Sequence, residues 1–191
     1  MANVGISDIS WFDVLSTDIQ DPAVSDALRN LVRNLELLVA QAIDATNLIV
    51  LTENVTNADV TPNTLADVTG LSFPVLSGEL YQFRFFIHYA ANAVTTGSRW
   101  SINGPATTVL SYRSEYGFTV ASRTYNEGLS SYNLPASSNA TSPATAENIA
   151  VVEGLIEPSA NGDVIARFAS EVTAAAIVAK AGSFVQYRRL K

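Results

Sequence analysis

The sequence predicts a mainly β fold, a jelly-roll-type antiparallel β-sandwich preceded by one N-terminal α-helix. Three observations predict it. A single apolar stripe with heptad spacing lies between residues 21 and 46. From Asn47 onward the apolar period shortens to two. About eight to ten strand-like segments then follow, separated by turn signals at hairpin distances and with no helical pattern between them.

The elements divide the chain into an N-terminal arm (1–20), a helix suited to oligomerisation (21–46) and the sandwich (47–191). The arm carries Asp8, Asp13 and Asp18 without Lys or Arg, and it also carries Ile6, Ile9, Trp11, Phe12, Val14 and Leu15. Such a segment has no domain of its own, and Trp11 and Phe12 are its candidate docking anchors, because aromatic anchors commonly supply most of the energy of a contact. The helix starts at Asp21, a plausible N-cap, with Pro22 at the first helical position and no Gly or further Pro before Ala45. Val24, Leu28, Leu31, Leu35, Leu38 and Ala42 follow one another at spacings of 4, 3, 4, 3 and 4. That is a heptad seam, widened by Val32 and Val39, and it is expected to pack on copies of the same helix.

In the sandwich, Leu71, Phe73 and Val75 alternate. Tyr81, Phe83, Phe85, Ile87 and Tyr89 then place five apolar residues on one face of a single strand, the expected core strand. Its other face (Leu80, Gln82, Arg84, Phe86, His88) is mixed, so it is expected to meet a second sheet or a neighbouring subunit. Further strands are expected at 98–103, 107–113, 117–125, 147–156, 163–170, 173–180 and 183–190. Asn103-Gly104-Pro105 and the run from Pro158 to Asp163 are the strongest turns. Residues 53–64 read as a connecting loop. Residues 126–146 read as a long surface excursion with Tyr132, Leu134 and Pro135 available for packing.

Composition narrows the function classes. The chain has 191 residues, 18 acids, 11 bases and no Cys, for a net charge of −7. This demotes nucleic acid and anionic membranes as partners, and it removes disulfides, thiolate metal sites and cysteine nucleophiles. No basic leader and no apolar run of about 18 residues is present, so a soluble, unsecreted protein is expected. The bases Arg84, Arg99, Arg113, Arg123 and Arg167 fall on expected strands, where they could pair with the acidic N-terminal half of a neighbouring subunit.

Few residues carry a pattern that chemistry requires. His88, the single histidine, is expected to be a hydrogen-bonded sheet residue and not a catalytic base, since no Gly-x-Ser-x-Gly elbow accompanies it. Glu153, Glu157 and Asp163 bracket one turn and are expected to be solvated carboxylates, not a calcium site. Asn54 and Asn139 fit the glycosylation pattern by chance. The basic end Tyr187-Arg188-Arg189-Leu190-Lys191 reads as a solvated strand end. No cofactor and no enzymatic activity are expected.

Several ordered segments resemble tailed-bacteriophage virion proteins: Thr64 to Val75, Ser77 to Phe85, Gly97 to Pro105, Gly154 to Gly162, Ile165 to Val172 and Ala181 to Leu190. The likeness covers residues 50–190, and the helix from Asp26 to Leu35 resembles short helices that precede such modules. The resemblance implies a trimeric jelly roll of head-fibre or capsid-decoration type without a catalytic site. It implies a homotrimer joined through Val24, Leu28, Leu31, Leu35 and Leu38. It also implies the major capsid protein as partner, docked through Trp11 and Phe12, and a place on the capsid surface of the virion. A tail fibre or a receptor- or glycan-binding module is the alternative.

Overall fold

The computed structural model describes residues 22–44 and 46–190, with the side chains of the helix described as far as residue 38. Trp11, Phe12, the Asp21 cap and Lys191 lie outside the described residues. The chain forms two units, Met1–Ala45 and Thr46–Lys191. The first contains helix α1 (Pro22–Asp44). Its seam is uncovered: Val24 is 46% exposed, Leu31 54%, Leu35 51% and Leu38 61%. Leu28 and Val32 are half-buried. Leu37, which the heptad spacing leaves out, is exposed as well.

The second unit is built of antiparallel strands: β1 (Asn47–Val50), β2 (Val55–Asn57), β3 (Ala66–Val75), β4 (Tyr81–Ala91), β5 (Ser98–Asn103), β6 (Thr107–Thr119), β7 (Ser122–Leu129), β8 (Asn148–Pro158), β9 (Gly162–Ser170), β10 (Ile177–Ala179) and β11 (Phe184–Arg189). One sheet runs in the order β1-β11-β4-β8-β6-β7, with β10 joining β2 to the upper part of β4, and the other runs β3-β9-β5. Partners are nested: β1 and β2 with β11 and β10, β3 with β9, β4 with β8. Such nesting is how a chain rolls into two facing sheets. The strand after β5 departs from an even division between the sheets. Instead of lying beside β5, β6 pairs with β8 and carries β7 outward, so one sheet has eight strands and the other three.

Period-two alternation buries one side of each strand. Along β4, Tyr81, Phe83, Phe85, Ile87 and Tyr89 are all buried against Val68, Leu71, Phe73, Val75, Trp100, Ile102, Val164 and Phe168 of the facing sheet. Phe73 sits 5.8 Å from Phe83, 5.9 Å from Phe85 and 4.7 Å from Tyr187, ring centre to ring centre. Trp100 lies 5.3 Å from Phe168 and 5.0 Å from Tyr89. Each such pair adds about 0.5–1.5 kcal/mol to the burial of its rings. Close approach of β6 to β8 depends on Gly154, where a Cβ would fall 2.2 Å from the Ser111 carbonyl oxygen.

Four sequence expectations change here. The connecting loop expected at 53–64 contains β2, whose Val55 to Asn57 pair with β10, and the excursion expected at 126–146 begins only after β7 ends at Leu129. The expected strands at 107–113 and 117–125 become one long strand, β6, followed by a turn at Val120-Ala121 and then β7. Ser114 and Tyr116 face inward and are buried, so the polar appearance of Ser114-Glu115-Tyr116-Gly117 does not mark a break. The expected strand 173–180 shrinks to β10, because residues 171–176 form a turn.

Candidate functional site

The outward faces of the two sheets carry the polar side chains that could act on anything else. On the three-stranded sheet, Arg99 and Ser101 point away from Trp100 and Ile102. There the long segment 130–147 closes over the β5 side. Asn133 donates its N–H to the Ile102 carbonyl at 3.0 Å, and Asn139 donates to the Ser98 carbonyl at 3.1 Å. The Asn139 side chain accepts from the Ser98 N–H at 2.8 Å and donates to the Gly117 carbonyl at 2.8 Å. Its carboxamide is thereby committed inside the fold, which removes it as a glycan acceptor.

Arg99 holds the segment from below, donating to the carbonyls of Asn63 and Asn133. Arg167 donates to Asn133 Oδ1 at 2.7 Å and to the Leu65 carbonyl at 3.0 Å, and pairs with Asp67 at 2.7 Å. Burial pushes the Arg99 pKa down, while nearby Tyr116 and Tyr112 oppose the shift. Tyr112 Oη reaches the carbonyls of Ser131 and Leu134, both at 2.9 Å, and Tyr132 Oη donates to the Pro105 carbonyl at 2.7 Å. Segment 130–147 is therefore a surface excursion held by side-chain and main-chain bonds, and it supplies partners to β5 on the side that β6 leaves vacant.

The eight-stranded sheet differs. Among the described residues no second sheet covers its outward face. Strand register sets that face in rows. One row is apolar and runs from the exposed Val50 through the half-buried Phe184 and Phe86 to the buried Val151, each opposite the next. The Phe86 and Phe184 rings stack at 5.3 Å. The next row is charged: Gln186 opposite Arg84, Arg84 opposite Glu153, Glu153 opposite Arg113. Glu153 forms an ion pair with Arg84 at 3.3 Å and accepts from Arg113 Nε at 2.7 Å, with a second Arg113 contact through Nη2. Arg113 also donates to Tyr125 Oη at 2.7 Å, and its guanidinium carbon lies 5.4 Å from the Tyr125 ring centre. Hydrogen bonds to Tyr125 and Glu153 hold the Arg113 pKa up.

Below this charged rail the face is concave. An open depression of about 810 Å³ is lined by Gln82, Arg84, Arg113, Glu153, Gln186 and Arg188, with Ser111, Glu127 and Leu155 along its far side. Arg188 stands opposite Gln82.

The remaining sequence candidates resolve individually. Nε2 of His88 lies 2.9 Å from a Glu147 carboxylate oxygen, and the His88 main chain is bonded to Ser183 Oγ. Glu153 lies on the open face between two arginines, whereas Asp163 lies on β9 opposite Pro74. They do not converge, and among the described residues no group of three potential metal ligands occurs. Arg84, Arg113, Arg123 and Arg167, expected to seek acids on a neighbouring subunit, have partners within the chain: Glu153, Glu153, Glu115 and Asp67. Those acids are supplied by the facing strand, a pairing that strand register alone decides. Tyr187 packs on Phe73, and Arg189 pairs with Glu79 at 3.6 Å. The depression was missed by sequence reasoning because its members come from β4, β6, β7, β8 and β11.

No family model and no curated protein matches the chain. Among solved structures, a chain from the structure of infectious bursal disease virus, Gx strain, aligns over 76% of this chain and 41% of its own length, with 6% identity and a TM-score of 0.29. The present chain thus spans less than half of that one, and the likeness is too low to imply a common fold.

Proposed function

We propose that the chain is a structural protein of a tailed-phage virion, a homotrimeric decoration or cement protein that binds and stabilises the head shell. The observation that carries the reading is the uncovered seam of α1, four of whose members, Val24, Leu31, Leu35 and Leu38, are about half exposed or more. Fully burying a leucine is worth about 1.5–3 kcal/mol relative to leaving it in water, so a 23-residue helix with that stripe gains most by packing on copies of itself. The resemblance of residues 50–190 to phage virion modules supplies the setting. In this reading the acidic arm, through Trp11 and Phe12, docks on the major capsid protein, no catalysis occurs, and function consists of added contact area that stabilises the assembled shell by mass action.

Light scattering on the full chain tests the trimer. A mass of three chains is expected, falling to one when Leu31 and Leu35 are both changed to Asp, with the β circular-dichroism signal unchanged. A monodisperse wild-type monomer at micromolar concentration overturns it. For location, a copy number in the hundreds per virion fits a shell protein. Removal of residues 1–20 is expected to leave a soluble trimer that no longer joins heads. A handful of copies instead favours the second reading, a tail fibre or glycan-binding module, for which the open depression on the eight-stranded sheet is the specific support.

A further inference from the structure

We propose that the depression on the outward face of the eight-stranded sheet is a binding site for an acidic saccharide, with Arg188 taking the sugar carboxylate and Gln82 and Gln186 taking its hydroxyls. The inference bears on the glycan-binding reading and is independent of the helical seam.

Three features point to it. First, the site has one fixed wall. Arg84, Glu153, Arg113 and Tyr125 are bonded to one another across four adjacent strands, so their positions are set before any ligand arrives. Second, the side chains flanking that wall are open. Gln82, Gln186 and Arg188 are exposed, and none of them has a hydrogen-bond or ion-pair partner within the chain among the described residues. Ser111 and Glu127 face the depression from the other side in the same condition. Planar amides and guanidinium groups that both line a concavity and lack partners are the groups that vicinal hydroxyls and a carboxylate satisfy, and an Arg fork matches a carboxylate in two parallel bonds.

Third, charge and shape select the class. Three arginines against Glu127 and Glu153 leave the lining one positive charge in excess, on a chain whose net charge is −7. Arg84 and Arg113 share Glu153, whereas Arg188 has no carboxylate partner among the described residues, so its guanidinium is the one left open to a ligand. Leu155 is the lone apolar side chain turned to the depression, because Phe83, Tyr112 and Tyr187 send their rings to the opposite face, toward the core. A peptide would need pockets for apolar side chains, and a nucleic acid would need an exposed aromatic platform and more positive charge. A carboxylated sugar needs neither.

The test uses the full chain with isotope-labelled side-chain amides. Glucuronate, N-acetylneuraminate, glucose, acetate and inorganic phosphate are each titrated while the NH₂ resonances of Gln82 and Gln186 are followed. Saturable shifts with the two acidic sugars are expected, with glucose and acetate each at least tenfold weaker. Changing Arg188→Gln is expected to weaken the acidic sugars about tenfold and leave glucose unchanged. Absence of shifts with both acidic sugars overturns the proposal. Equal response to glucose also overturns it, as does acetate or phosphate acting as strongly as the acidic sugars, which would make the depression a plain anion site. The oligomer mass is read on the same samples: loss of sugar binding with the trimer intact condemns only this proposal, and a monomer that still binds sugar condemns only the helical one.

Discussion

The outward faces of the two sheets use arginine in opposite ways. On the three-stranded sheet, Arg99 and Arg167 direct their donors to the carbonyls of Asn63, Asn133 and Leu65 and to the Asn133 side chain, which ties down segment 130–147. On the eight-stranded sheet, Arg84 and Arg113 bind one carboxylate, Glu153, and no second sheet covers them among the described residues of the sandwich. The first arrangement closes a face and the second leaves a face open with its charges already arranged. The difference lies in where the donors point, since both pairs stand on strands of the same sandwich. Buried donors are committed to structure, whereas half-exposed ones remain available to a ligand.

The comparison can be broken most severely at two glycines, one for each face. A Cβ at position 97 would lie 1.7 Å from the Asn139 carbonyl oxygen, and one at position 154 lies 2.2 Å from that of Ser111. Gly97→Ala and Gly154→Ala are each expected to cost about 3 kcal/mol or more in urea denaturation, since main-chain atoms have to move. Amide exchange is expected to report the first in segment 130–147 and the second in β6 and β8. The arginines come next. Arg99→Met strips two partly buried carbonyls of their donor and is expected to cost about 2 kcal/mol, with faster exchange across 130–147. Arg84→Met on the open face is expected to stay within about 0.5 kcal/mol. Equal costs for the two would erase the distinction.

The smallest effect is alkaline. Burial pushes Tyr132 of the closing segment up to about 12, and burial likewise pushes Tyr116 up to about 12, against an ordinary value of 10. Both are held as phenols in the fold while the unfolded chain ionises first. Their contribution is therefore complete below pH 10 and declines as the pH rises through about 12. Stability measured across that range is expected to fall, and Tyr132→Phe is expected to make the fall shallower. An unchanged profile in that variant would remove Tyr132 from the account.

Much of this fold was legible in the sequence, for particular reasons. The Tyr81–Tyr89 alternation identified β4 because both of its faces have strong and different characters. The 4-3-4-3 spacing identified α1, although not Leu37, which lies off the seam and is as exposed as the seam itself. The β6–β7 arrangement was illegible because Glu115 and Gly117 lower the apparent hydrophobicity of a strand whose inward residues, Ser114 and Tyr116, are nonetheless buried. Segment 130–147 was legible as an excursion but not as a partner for β5, because its bonds come from Asn and main-chain groups that show no period. The depression was least legible of all. Gln82 and Arg84 stood out on a mixed face, but only register places Arg188 opposite Gln82 and Gln186 opposite Arg84.

The pairing of β1 and β2 with one continuous partner line has a mechanical meaning. Asn47 to Val50 pair with Tyr187 to Phe184, and Val55 to Asn57 pair with Ala179 to Ile177. A pull applied to the sandwich through the chain that leads from α1 enters at Asn47 and runs along the strand direction when the opposite end of the sandwich is held. It then shears those pairs together instead of peeling them one after another. Rupture in shear requires many bonds to fail at nearly the same moment, so this unit is built to hold tension along its strands, whatever it is attached to.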